Sequence, residues 1–443
     1  KGRKHPKEAD VFLHIAMKVA KNCRYVEPQF TLRFDKETSE EIWDEALDAL
    51  GAGATYPTLY NDDVNVPAVM YGMRVDEKAA EQYVPFGCTE FVIQGQSTGT
   101  PNICINLLKL LTIYMNDGID PIDGKRKSGP VPLKKLEEYQ TFEEFYDGYK
   151  ALLDYYLDLS VKAQYHSYEV MNQHVSFLFT SLLTDDCIAR GKALLDGGVR
   201  YLGGTNETYG NINTSDSLWV IRDLVFNQKK YTLRQLNDAM LANFNGYEAL
   251  RKDCLNCDKY GNDLETADTM ANDLYEFVAK GVRDRGIAIG MQYFLIVISN
   301  NQLNTEWGNR TAASPDGRLS CMYMNPANNP QGGANKSGPT AMLNSLAKFD
   351  AKYHGGSVQN IKFSPSMFNE NRAVIKSLFK TYFAKGGCHL MVTVVDKGVL
   401  EDAVEHPENY PDLIVRVSGF SAVFVDLSPN IQQELLSRVL YDK

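Results

Sequence analysis

A chain of 443 residues with a net charge of −10 offers no electrostatic attraction to nucleic acid or to an anionic membrane surface. Its 44% hydrophobic content is ordinary for a folded protein, yet no apolar run approaches the roughly 18 residues of a membrane span. Length alone predicts two or three domains, or one large α/β barrel.

The eight cysteines are spread through the chain without the spacing of a disulfide framework, which fits reduced thiols in a cytoplasm. Residues 1–10 are polar and charged and lack a signal-peptide pattern, so a cytoplasmic location is expected. Cys254 and Cys257 form one C-x-x-C, but no second pair or neighbouring His completes a site, and no bound metal is expected. Neither a P-loop nor a Rossmann glycine pattern occurs, since Gly203-Gly204 and Gly332-Gly333 lack the spacing.

Apolar residues at helical spacing predict helices over 9–21, 41–50, 105–116, 142–165, 216–226, 233–244 and 264–284. Acidic residues or Ser/Thr open several of them, as N-caps should. Short β-branched stretches predict strands at 390–395 and 415–417, with another at 294–298. Residues 117–132, rich in Gly and Pro, read as a surface loop. Short strands separated by helices indicate βα units around a barrel.

Two short segments carry the chemistry. In Arg416-Val417-Ser418-Gly419-Phe420, a glycine sits in an apolar run. It serves either a backbone conformation open only to glycine or chemistry at its own Cα. In Gly87-Cys88-Thr89-Glu90, an extended backbone would place the Cys88 thiol and the Glu90 carboxylate on one side. A free cysteine by itself is commonly core filler.

Together the two segments are similar to the radical and cysteine loops of the pyruvate formate-lyase superfamily of glycyl radical enzymes. The closest motif is the G-C-x-E pattern of its eliminases and decarboxylases. The likeness continues through Tyr56-Pro57-Thr58-Leu59-Tyr60-Asn61-Asp62, Ser314-Pro315-Asp316-Gly317-Arg318 and Gly386-Gly387-Cys388-His389-Leu390. Thr89 stands where pyruvate formate-lyase itself carries a second cysteine, which disfavours acyl transfer. Phe420 replaces the usual tyrosine, and Met391 and Thr393 stand where relatives often carry Gln and Asn.

The resemblance implies an α/β fold, half of a ten-stranded barrel with helices outside and the two loops meeting inside. Residues 1–385 would form the C-terminal part of the catalytic barrel and 386–443 the glycine radical domain. Relatives are nearly twice as long, so this chain resembles their C-terminal half. An open half-barrel would expose apolar edges, so poor solubility without a partner is expected.

The resemblance further implies a radical stored on Gly419, installed by a radical S-adenosylmethionine activating enzyme, with no other cofactor. Cys88 would become the thiyl that takes hydrogen from a small-molecule substrate, and Glu90 the general base. Asn102, Thr100 and Glu207 are the substrate-contact candidates, and His389 is expected to be a structural hydrogen-bond donor. The leading expectation is a lyase that eliminates a β-substituent by C–O, C–N or C–S cleavage. Alternatives are an arylacetate decarboxylase, formate acetyltransferase-like C–C cleavage, and a non-catalytic radical-domain repair partner. A homodimer is expected, along with the N-terminal half as a partner if it is a separate chain.

Overall fold

A computed structural model describes residues 6–23, 25–99, 102–298 and 302–442. The chain is α/β, and two sheets carry most of its strands. The first is four-stranded and parallel: β5 (Ile103–Asn106), β6 (Gly203–Tyr209), β7 (Tyr293–Ile298) and β8 (His354–Ser357), in that order. The second has the order β1 (Thr31–Phe34), β2 (Thr58–Asn61), β10 (His389–Val394), β9 (Asn360–Phe363) and β13 (Leu440–Tyr441). It is parallel except where β10 meets β2. Two hairpins lie apart, β3 (Tyr83–Phe86) with β4 (Glu90–Ile93), and β11 (Ile414–Arg416) with β12 (Ser421–Val423).

The sheets are joined by one strand line. Val358 donates its N–H to the Ile298 carbonyl (3.0 Å), and the Gln359 carbonyl accepts from the Met391 N–H (2.8 Å). Through these two residues β8 leaves β7 and becomes β9 beside β10. The result is one array from β5 to β1, whose two ends are unpaired with each other among the described residues.

Long helices cover this array. The helix Phe142–His174 starts at Thr141, whose hydroxyl accepts the Glu144 N–H, with Glu143 and Glu144 in the favourable first turn. Phe145, Tyr149, Leu152 and Leu153 recur along its buried face. It packs on Glu265–Ala288, which lies against β7. That contact explains β7, Tyr-Phe-Leu-Ile-Val-Ile, which is buried at every position as a strand covered on both faces must be.

The predicted helices form with shifted bounds, since 105–106 belong to β5 and Ile221–Asn227 winds as a π-helix, and the three predicted strands form as β10, β11 and β7. Other strands escaped the pattern, β6 above all. Its sequence Gly-Gly-Thr-Asn-Glu-Thr-Tyr is polar yet wholly buried. The C-terminal segment has its own small core, in which Val395, Leu400, Val415, Val417, Phe424 and Leu435 close around the β11–β12 hairpin.

Candidate active site

The two loops meet. Gly419 lies in the turn between β11 and β12, and Cys88 in the turn between β3 and β4. A Cβ built on Gly419 would collide with the Sγ, Cβ and Cα of Cys88. Gly419 has no positive φ, so a left-handed turn is not what requires glycine here. The close approach of the cysteine is, and it aims one Cα hydrogen of Gly419 at the thiol.

The expected extended segment around Cys88 is corrected to a hairpin turn. Gly87 and Thr89 both have positive φ, 51° and 86°, and the latter is a costly conformation for a β-branched residue. It persists because β8 holds it. Gly356, at φ 143°, passes so close to the Thr89 carbonyl that a Cβ there would overlap it. Cys88 and Glu90 are nevertheless both buried in one site, 5% and 4% exposed.

Apolar neighbours Ala327, Val358 and Met391 surround the thiol. Burial pushes the Cys88 pKa well up, with the Glu90 and Glu207 carboxylates adding to the rise, so the sulfur keeps its hydrogen. Such a site favours hydrogen-atom exchange over thiolate chemistry. Met391, one of the departures from the family pattern, also accepts the Nε–H of the buried Arg416 (3.3 Å).

Polar residues form the other wall. The Asn102 amide donates to Glu207 Oε1 (2.8 Å) and to Glu90 Oε1 (3.3 Å), and its own oxygen accepts the Thr205 hydroxyl. Tyr209 donates its hydroxyl to Glu207 Oε2 at 2.5 Å. One amide therefore bridges two carboxylates in a fixed orientation. Burial raises the Glu90 pKa to about 8, and the Glu207 charge works in the same direction. Thr89 and Ser418, next to the two loop residues, bury hydroxyls that find no hydrogen-bond partner among the described residues, that of Thr89 lying against Gly356 of β8.

Of the candidates named from sequence, Gly419, Cys88, Glu90, Asn102 and Glu207 come together, while Thr100 lies outside the described residues. His389 is buried and held neutral by desolvation. Its Nδ1 accepts the Gln359 N–H (3.3 Å). The C-x-x-C pair sits at the C-terminal end of the helix Glu248–Asn256, where Lys259 donates to the carbonyls of Cys254 (2.6 Å) and Cys257 (3.3 Å). All eight cysteines are free thiols.

Sequence reading missed Thr205 and Tyr209. Their signal was available, since positions 205, 207 and 209 share one face of a strand with period two. The missing step was to recognise a polar strand as a strand.

The pyruvate formate lyase-like family model matches residues 2–303 and the glycine radical model matches 324–425. The chain is 30% identical over 428 residues to trans-4-hydroxy-L-proline dehydratase of Clostridioides difficile, covering 96% of this chain and 54% of that protein. It is 26% identical over 480 residues to the 4-hydroxyphenylacetate decarboxylase glycyl radical subunit of Clostridioides difficile (strain CD196), with coverage of 97% and 52%. The glycerol-bound B12-independent glycerol dehydratase of Clostridium butyricum superposes with a TM-score of 0.91 at 29% identity, covering 97% of this chain and 55% of that one. This chain belongs to the pyruvate formate lyase-like family of glycyl radical proteins. It spans about half the length of the relatives it matches.

Proposed function

We propose that the protein is a glycyl radical lyase that eliminates a β-substituent from a small polar substrate. A radical S-adenosylmethionine enzyme takes one hydrogen atom from the Gly419 Cα. On substrate binding the Cys88 S–H bond breaks and the Gly419 Cα–H bond reforms, which moves the unpaired electron to sulfur. The thiyl then abstracts hydrogen from the substrate carbon beside the leaving group. Glu90 accepts a proton from the substrate hydroxyl and so assists departure of the β-group. Asn102 keeps Glu90 and Glu207 at a fixed separation.

The observation that carries this reading is the approach of Gly419 to the protonated, buried Cys88 thiol. The polar wall of Glu90, Glu207 and Asn102 favours a polar, hydroxylated substrate. A second reading, arylacetate decarboxylation, draws support from Glu207 facing the site and from the aromatic pair Tyr209 and Trp307 behind it, with centroids 5.2 Å apart.

The test is anaerobic activation, a short exposure to air, and mass mapping of the C-terminal peptides, because oxygen cuts the backbone at a glycyl radical. Scission at Gly419 followed by turnover of a vicinal diol or a β-hydroxy amine supports the proposal. An intact chain after activation by a cognate enzyme overturns it, and turnover of aryl acetates alone moves the reading to the decarboxylase.

A further inference from the structure

Gly419 is buried, and its carbonyl oxygen accepts a hydrogen bond from outside its own loop. The Gln29 side-chain amide donates to it at 2.9 Å. Among the described residues no backbone N–H reaches that oxygen. Gln29 lies between the helix Pro6–Cys23 and β1, remote from both loops in sequence. Its amide is oriented by Glu27, whose carboxylate accepts the Gln29 backbone N–H (2.9 Å) and lies 3.5 Å from the same side-chain nitrogen. Nothing in the proposed hydrogen-transfer steps uses this residue.

The chemistry of a Cα radical gives the contact a consequence. An unpaired electron on a glycine Cα is shared with the two flanking peptide groups, and part of it resides on the glycine's own carbonyl oxygen. A donor to that oxygen stabilises the delocalised form and draws spin away from Cα. We propose that Gln29 is a positioning residue for radical storage, whose amide biases the unpaired electron toward Gly419 and away from Cys88. The exchange it biases is balanced. One S–H bond breaks as one Cα–H bond forms, the unpaired electron moves from carbon to sulfur, and no other oxidant or reductant takes part. This inference rests on the reading of Gly419 as the radical site. The bond exists before and after hydrogen transfer, so only its strengthening on radical formation shifts the equilibrium, and the full net strength of a neutral hydrogen bond sets an upper limit of about fivefold.

The test uses the full chain, with the radical formed anaerobically by a radical S-adenosylmethionine activating enzyme and read by electron paramagnetic resonance. Gln29→Met and Gln29→Glu remove the donor at similar length, and Gln29→Lys restores one. The expected result is a wider α-proton doublet in the Met and Glu variants, with a radical half-life shorter by up to about fivefold. Gln29→Lys should move both values back toward the wild type, and melting temperatures should stay unchanged. An identical doublet and half-life in all four proteins overturns the role of Gln29 while leaving Gly419 as the radical site. Absence of any doublet in the activated wild type overturns the reading of Gly419, and this inference with it.

Discussion

Glu90 is a buried carboxyl whose pKa is raised from 4.5 to about 8 by desolvation, while an unfolded chain releases the same proton near pH 4.5. Between those values the native state holds a proton that the unfolded state has lost. Stability from this group is therefore complete below pH 4.5 and is lost as pH rises through 8. Glu90→Gln removes that dependence, so the melting temperature of the variant should gain on the wild type steadily from pH 5 to pH 8. The same ionisation produces the base form, so kcat/KM should climb through pH 8 in the wild type and lose that limb in Glu90→Gln. Glu207 separates the two proposed reactions. Glu207→Gln keeps an oxygen to accept from Asn102 and turns its amide N–H toward Tyr209, whose hydroxyl can accept, and should leave elimination largely intact. Collapsed turnover with a normal radical signal would instead assign Glu207 to the chemistry.

At the scale of elements, the decisive contact is between the β3–β4 turn and β8. Gly356 admits the Thr89 carbonyl, and any Cβ there would push the turn that carries Cys88 away from Gly419. Gly356→Ala should cost about 1–3 kcal/mol, as overpacking of a close contact does. It should also abolish turnover while leaving oxygen-dependent scission at Gly419 in place, because the radical loop belongs to a different element. Scission and turnover lost together would place the fault in the radical loop instead. The long helices were legible because one side of each is apolar with a clear period, and β7 because it is a short unbroken apolar run. β6 was not legible, because the residues it turns toward Asn102 are Thr205, Glu207 and Tyr209, and a strand that lines a polar site has no apolar signature.

Across the whole molecule, apolar surface gathers at the short helix Leu178–Leu182 and its neighbours. Leu178, Phe179 and Leu183 are 68%, 75% and 69% exposed, and Ile188 is 71% exposed. A patch of this kind marks an interaction surface or an aggregation liability. The chain by itself should aggregate at high concentration, and Leu178→Ser with Phe179→Ser should keep it monodisperse in size-exclusion runs without moving the melting temperature. Continued aggregation of the double variant would place the cause at the open ends of the sheet array.

The sequence by itself determined the α/β class, through periods of two and 3.6, and carried the resemblance to a family through the residue order of two short segments around Cys88 and Gly419. Tertiary structure alone decided why position 419 is glycine, since the residue that excludes a side chain is Cys88, distant in the chain. It also decided that one amide joins the two carboxylates and that Gln29 reaches the Gly419 carbonyl. These are contacts between remote segments that only packing of the sheet array brings together, and no short-range pattern encodes them.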